Sequence, residues 1–396
     1  MRVAVITRSA RRAGGLEAYL ERAMSLLAGA GHELALFVEH ADLPTDRAPI
    51  GLPAGVPLAE LGGSGVGGLR SWGPEVVFMH GLGDPGLEEA VLDAGPLLSF
   101  MHDYHGTCIS GSKAFSWPTR RPCDRRFGPA CVALYYLRRT GGLDPRTLAR
   151  EYSRQRRRLG VLRRAAGVCV LSEHMRREAV RHGVAPERAR VLPTLLPPPP
   201  PLAGPPPPAG DAVRLTFVGR LEPQKGGAEL IEGLPAIASR LDRPVELSIA
   251  GDGMSRASWE GVARRVTSDR VRVELLGWLD GEELARLYRR SDLLVLPSLW
   301  PEPFGLVGLE AGLHGLPVAA FRVGGIGDWL AEGENGALAP GDPPTIEGLV
   351  DAVVRCVERP EVLAALREGA LRAARSRAPA EHLAALEAAL NDAARG

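Results

Sequence analysis

Lysine is almost missing from this chain. Of 48 basic side chains in 396 residues, only Lys113 and Lys225 are lysines, and the other 46 are arginines. A bias of that size reflects the base composition of the coding sequence, so each retained lysine calls for a local reason. Aromatic residues are scarce at 5%, and the 5 cysteines, Cys108, Cys123, Cys131, Cys169 and Cys356, stand at irregular spacings. An odd, irregular set does not read as a disulfide framework. No stretch approaches the ~20 apolar residues of a membrane span. The apolar run in the opening MRVAVIT is shorter than the ~7–15 residues of a signal-peptide core. Together these absences lead us to expect a cytoplasmic protein. A strong net charge is lacking too: 48 basic against 47 acidic side chains give +1, no global drive toward nucleic acid or an anionic surface. That balance hides an asymmetry, because residues 1–195 carry 27 basic and 19 acidic side chains and residues 196–396 carry 21 and 28.

What is present is globular: 45% hydrophobic and 24% charged residues, in a chain long enough for two domains. RVAVIT, ELALFV, EVVFMH and LLSFMH are continuous apolar runs that read as buried parallel strands, with helical or loop segments between them. The run PPPPPLAGPPPP at 197–208 holds nine prolines in twelve positions and predicts a stiff, extended connector rather than a ligand for a proline-recognition module. After it the alternation restarts with VRLTFVG, VELSIAG, VRVELLG, DLLVLPS and PVAAF. GEELARLYRR, with acids at its start and arginines at its end, matches a helix dipole. The expected architecture is α/β: two Rossmann-like doubly wound domains over 1–195 and 213–378, joined by a proline-rich linker at 196–212. Ligands bind such sheets at the carboxyl ends of the strands, here in a cleft between the domains. The final segment, 379–396, is a helix that could cap either domain.

Two motifs carry chemistry. In FVGRLEPQKGG, residues 217–227, a strand ends at Gly219, Arg220 follows, and Lys225 precedes two glycines that open a helix. Glycines admit close backbone approach, a helix N-terminus favours an anion, and an arginine fork beside a lysine point charge suits a diphosphate. A solvated turn is the plain alternative, but one of the two lysines lies here. In PEPFGLVGLEAGLHGLP, residues 301–317, the prolines impose an extended entry and the helix is predicted to start near Gly305. Glu302 then lies in the loop and Glu310 one to two turns into the helix. Ionised carboxylates only accept hydrogen bonds, so the pair suits sugar hydroxyls, and the amides of Phe304, Gly305 and Leu306 face the same ligand. Two carboxylates also suit glycoside hydrolysis, but nothing in the sequence marks one as a buried acid, so that reading ranks second.

VGRLEPQKG, AGDGM, EPFGLVGLE and VGGIGD, in this order and spacing, resemble the donor domain of family-4 retaining glycosyltransferases of the GT-B fold. The resemblance covers about residues 213–330. In the first half, GGLEAYL, MHDYHG and LSEHMRREAVRHGV resemble that family's glycine loop, histidine segment and acceptor-domain end. The resemblance implies that Arg220 and Lys225 grip the nucleotide diphosphate, Glu310 holds the ribose and Glu302 the transferred sugar. It implies that Gly15 offers its amide to the phosphates, that His102 lies by the reacting sugar, and that Leu279 lies near the base. It further implies a nucleotide-diphosphate sugar as donor, UDP- or GDP-sugars foremost, and retention with the leaving diphosphate helping to deprotonate the acceptor. Two departures stand out: Asp328 where glutamate is usual, and PTLLP in place of an NGVD-like turn. No Asp-x-Asp triplet occurs, which disfavours a metal-dependent transferase of the other major fold; no bound metal and no cofactor are expected.

Other readings stay open. His102, His105, Cys108, Cys123 and Cys131 fall within thirty residues, but without C-x2-C spacing, so a zinc site ranks behind a loop with buried thiols. Residues 106–133 include Lys113, Trp117 and four arginines, a solvated loop or one that meets an acidic acceptor. Residues 138–190 hold fifteen arginines against five acids. A helix with a solvated basic face explains them, with peripheral membrane contact as the alternative; the expected acceptor is a glycan, a lipid-linked or a small molecule. The span lacks interleaved aromatics, so nucleic acid is not an expected partner. An epimerase or hydrolase of the same fold, or a non-catalytic scaffold, completes the alternatives.

Overall fold

The structure, a computed structural model, describes residues 1–11, 14–40, 48–62, 66–198 and 211–395. From 199 onward the proline run lies outside the described residues. In chain order the first half forms β1 (Arg2–Thr7), α1 (Gly15–Gly29), β2 (Glu33–Val38), β3 (Leu58–Glu60), α2 (Gly67–Trp72), β4 (Val76–Met79), α3 (Pro85–Leu92) and β5 (Leu97–Phe100). It continues through β6 (Ala114–Phe115), β7 (Arg121–Pro122), α4 (Pro129–Leu137), α5 (Pro145–Arg164), β8 (Gly167–Val170), α6 (Glu173–Arg181) and β9 (Ala189–Val191). The second half forms β10 (Val213–Val218), α7 (Gly227–Leu241), β11 (Val245–Ala250), α8 (Arg256–Val266), β12 (Val271–Gly277), α9 (Gly281–Arg290) and β13 (Leu293–Leu296). Then come α10 (Leu306–Gly312), β14 (Val318–Phe321), β15 (Gly336–Ala339), α11 (Ile346–Val357), α12 (Pro360–Arg375) and α13 (Pro379–Arg395).

The chain divides into two compact units: Met1–Lys113, Asp124–Leu195 and Ala378–Gly396 form the first, and Ala114–Cys123 with Leu196–Arg377 form the second. In the first, seven parallel strands take the order β3-β2-β1-β4-β5-β8-β9. Their near-continuous apolar sequences follow from helices covering both faces. Tyr19, Leu20, Met24 and Leu27 of α1 pack on that sheet, and Leu386 and Leu390 of α13 enter the same core. The His382 imidazole of α13 bridges the Tyr19 hydroxyl (3.2 Å) and the Pro193 carbonyl (2.5 Å).

In the second unit the order is β12-β11-β10-β13-β14-β15, again parallel. α9 starts at a reciprocal cap: the Asp280 carboxylate accepts from the Glu282 and Glu283 amides, while Glu283 accepts from the Asp280 amide. Both sheets change direction of strand addition once, between β1 and β4 in the first and between β10 and β13 in the second. Those switch points are where open α/β sheets leave a crevice at the strand carboxyl ends.

Candidate active site

At the second unit's switch point the chain leaves β10 through Gly219 and Arg220, makes a 3-10 turn at Pro223–Lys225, and enters α7. Gly226 takes a φ of 72°, and a Cβ there would lie 1.8 Å from the Pro297 carbonyl oxygen. Only glycine lets the turn lie this close to the segment leaving β13. The Leu299 amide donates to the Gln224 carbonyl at 2.8 Å, tying the two segments together. That contact brings the two sequence motifs to one place.

Their meeting point is a buried carboxylate. Lys225 Nζ donates to both oxygens of Glu302, at 2.8 and 3.1 Å, and Oε2 also accepts from Ser298 Oγ (2.9 Å) and Trp300 Nε1 (2.8 Å). The ammonium also lies 5.1 Å from the centre of the Trp300 ring. Burial pushes the Glu302 carboxyl pKa up, but the lysine charge and the three hydrogen-bond donors together outweigh it and hold it below the usual range. The loop carrying Glu302 is fixed from below: the Gly325 amide donates to the Glu302 carbonyl at 2.7 Å, and Gly324, at φ 58°, leaves no room for a Cβ against that same oxygen. Asp328, the departure noted in the sequence, ends the short turn that follows.

The remaining expected residues of the second unit lie at the carboxyl edge of the same sheet. Arg220 is exposed and pairs with Glu222 at 2.8 Å. Gly305, at φ 84°, caps α10, and Leu306 begins it, so their amides belong to a first turn without intrahelical acceptors. The Phe304 carbonyl accepts from Trp329 Nε1 at 2.6 Å. Glu310 is one turn into α10, and its charge, after burial, is what raises the pKa of the buried Tyr288 hydroxyl. Leu279 lies between β12 and the cap of α9.

In the first unit a cavity of about 370 Å³ opens at the carboxyl ends of β1, β4 and β5. Arg8, His80, Glu88, His102, Asp103 and Arg154 are among its lining residues. Arg158 lines it too, paired with Glu88 at 3.3 Å. Gly15 is the exposed first residue of α1. His102 follows β5 and stacks on Phe100, with ring centres 4.1 Å apart. His80 Nδ1 and His102 Nε2 are 2.8 Å apart. Burial lowers the pKa of both rings, to about 4 for His102 and well below the usual value for His80. Two neutral rings share one proton across that contact. His80 Nε2 is buried with no partner among the described residues. A proton there would be an orphaned donor, so we assign it to Nδ1, donated to His102. In that tautomer His102 accepts at Nε2 and carries its own proton on Nδ1.

The zinc reading does not assemble. His105 pairs with Asp103 at 2.6 Å, the Cys108 sulfur accepts from the Lys113 amide at 3.3 Å, and Cys131 Sγ lies 3.8 Å from the Arg126 carbonyl. Among the described residues no group of three or more His, Cys, Asp or Glu is placed to hold a metal ion.

Two family models cover most of the chain: "Glycosyl transferase 4-like domain" matches residues 14–194, and "Glycosyl transferases group 1" matches residues 212–359. This chain belongs to the family-4-type glycosyltransferases. Its two parallel-sheet units are those of the GT-B fold. A D-inositol 3-phosphate glycosyltransferase of Corynebacterium glutamicum is 34% identical over 183 residues, 45% of this chain and 43% of its own length. The chain thus spans about two fifths of that relative's length. Among solved structures, sucrose-phosphate synthase from Thermosynechococcus elongatus gives a TM-score of 0.69 at 19% identity, covering 98% of this chain and 97% of that one. HepE of Anabaena in complex with UDP-glucose gives 0.65 at 17% identity, covering 98% and 99%. At those identities the likeness is one of fold.

Sequence reasoning missed three residues of this glycosyltransferase's candidate sites, two in the second unit and one in the first. Ser298 and Trp300 precede Glu302 by four and two positions, close enough to have been read as its donors. His80 was signalled by a duplicated FMH, at 78–80 and 100–102, at the ends of two strands that turn out to be neighbours. The buried histidines also predict an acid response. His102 and the fully buried His182 both have pKa values lowered to about 4, in each case by burial first. A lowered folded-state value means the unfolded chain binds the extra proton, so this contribution is intact above about pH 6.5 and is lost as pH falls toward about 4. Urea unfolding should therefore show stability dropping between pH 6.5 and 4.5. A flat profile across that window contradicts the assignment of neutral rings.

Proposed function

We propose that this chain transfers a sugar from a nucleoside-diphosphate sugar to an acceptor hydroxyl, with retention at the anomeric carbon and without a bound metal. The observation that carries this reading is the Lys225–Glu302 contact at the switch point of the second unit. A carboxylate held below its usual range is ionised at neutral pH and accepts only, as sugar hydroxyls require. The lysine beside it, with Arg220 upstream, supplies positive charge for a leaving diphosphate, where charge develops in the transition state. Glu310 is assigned to the ribose and Leu279 to the base. The amides of Gly15, Gly219, Phe304, Gly305 and Leu306 are assigned to the donor. The UDP-glucose bound by HepE supports a uridine donor, with GDP-sugars the next choice.

In the first unit, the cavity beneath His102 is assigned to the reacting sugar and its acceptor, a glycan, a lipid-linked sugar or a small polyol. His102 donates its Nδ1–H there. The leaving diphosphate takes the acceptor proton. The enzyme works in the cytoplasm, and no nucleic acid is part of this reading. Membrane contact through the 138–190 region draws less support than its charge suggests. Arg157, Arg158 and Arg164 are already paired with Glu89, Glu88 and Asp93.

The test is consumption of UDP-, GDP- and dTDP-sugars by the full chain in EDTA, followed by an acceptor screen with product anomers read by proton NMR. One donor should be consumed, faster with the right acceptor, and the product should keep the donor's configuration. Equal consumption with and without every acceptor would assign a hydrolase or epimerase, and an inverted product or loss of activity in EDTA would overturn the mechanism.

A further inference from the structure

We propose that Arg120, on the β6–β7 hairpin, is a positioning residue for Lys225 at the switch point of the second unit. The hairpin brings it there out of sequence order. Residues Ala114–Cys123 group with the second unit, although the chain on either side of them belongs to the first. Its strands pair antiparallel, Ala114 with Pro122 and Phe115 with Arg121, and Ala114 and Phe115 are buried. Just before β7, Arg120 Nη1 donates to the Pro223 carbonyl at 2.9 Å, across 103 positions of sequence. Pro223 opens the 3-10 turn that ends at Lys225. Burial raises the pKa of the Glu229 carboxyl in the first turn of α7, and the Arg120 guanidinium is among the groups that oppose it. Its charge therefore lies close to the start of that helix.

The place of this turn decides where the Lys225 ammonium stands. Within itself the turn has two bonds, from the Lys225 amide to the Glu222 carbonyl (3.0 Å) and from the Gly226 amide to the Pro223 carbonyl (3.3 Å). From outside, the Leu299 amide holds the Gln224 carbonyl and Arg120 holds the Pro223 carbonyl. A charged donor makes a stronger bond to a carbonyl than a neutral one. One N–H accounts for the Arg120 contact, so a lysine suffices there, unlike the reverse exchange at Lys225. For its kinetic consequence the proposal rests on the sugar-transfer reading. Lys225 acts on charge that develops as the diphosphate leaves, so a displaced turn costs turnover more than donor binding. Arg121, the next residue, has other partners: it lies 4.0 Å from Asp342, and 5.8 Å from the centre of the Phe115 ring. It is the control for the hairpin itself.

Two measurements on the full chain test this. The first is amide hydrogen exchange without donor. Arg120→Met should speed exchange at Lys225 and Gly226 by about five-fold or more, the scale of one lost hydrogen bond to a charged group. The β10 and β11 amides should be unchanged, and Arg121→Met should match wild type throughout. The second is steady-state transfer on the donor identified by the screen. Arg120→Met should lower kcat about ten-fold and change the donor KM by less than about two-fold. Arg120→Lys should recover most of that loss. In the Lys225→Ala background Arg120→Met should cost nothing further, as expected of a residue that acts through Lys225. Unchanged exchange at the turn, an equal loss in the Lys225→Ala background, or a lysine variant as slow as the methionine one overturns the proposal. So does an Arg121→Met protein that behaves like Arg120→Met. Exchange that quickens across the whole second sheet, with a lower melting temperature, overturns it too, by making Arg120 a structural residue only. The exchange measurement needs no donor, so it decides the contact even where wild type transfers no sugar, a result that would sink the sugar-transfer reading alone.

Discussion

Lys225→Ala is expected to lower sugar transfer by about 100-fold or more, the scale of losing one preorganised donor to developing charge. Two effects add. The leaving diphosphate loses the lysine, and Glu302 loses its only counter-ion in the described site, keeping just the hydroxyl of Ser298 and the indole of Trp300. Burial, no longer opposed by the ammonium, then pushes the Glu302 carboxyl upward, toward a protonated form that orients a sugar differently. Lys225→Arg is expected to fail as well. A guanidinium cannot place one compact charge between both Glu302 oxygens and the Trp300 ring, which explains a lysine in a chain that otherwise chooses arginine. Steady-state rates on the donor identified by the screen, with circular dichroism as the fold control, provide the check. Wild-type turnover in a folded Lys225→Ala protein would falsify the site assignment.

The second large effect concerns the other lysine. Lys113 and Glu178 form an ion pair with side chains only 3% and 4% exposed, and Lys113 Nζ also donates to the Arg125 carbonyl. Burial raises the Glu178 carboxyl pKa and the lysine opposes it. Lys113→Met keeps the length of the side chain and leaves that buried carboxylate to the longer Arg181 contact at 3.9 Å, at a cost of about 3–5 kcal/mol. For a unit of this size that is a fall in melting temperature of about 6–20 °C. Lys113→Met/Glu178→Leu should recover most of the loss, because replacing a buried pair with apolar groups is close to neutral. Calorimetry of the single and double variants decides the matter: a double variant no more stable than the single one would show that the pair is not what holds this segment. Lys113 is thus structural, and the arginines around it are not interchangeable with it.

The contrast between the two lysines shows what could be read in advance. Strands β1, β2 and β12 coincide with the runs RVAVIT, ELALFV and VRVELLG, and α9 with GEELARLYRR, because buried parallel strands and dipole-matched helices write themselves locally. The short strands β3, β8, β9 and β15 have three or four residues each, too few for a period, and they form because a neighbour is waiting. In the site, Lys225 was legible because glycines and a strand end surround it in sequence. The partner of Lys113 is sixty-five positions away on α6, and no pattern along the chain announces that distance. The basic span 138–190 misleads for the same reason: its composition suggests a solvated face, whereas acids on α3 claim part of it.

The position of α13 has a consequence for biosynthesis. Leu386 and Leu390 complete the core that α1 and the first sheet begin, and His382 fastens Tyr19 to the segment after β9. The first unit therefore waits for a helix encoded after the whole of the second, residues 196–377, has been made. At about 5–20 residues per second that delay is about 10–40 s, during which the early half leaves the ribosome with one side of its core uncovered. The second unit, contiguous but for one short hairpin, is the part able to mature first.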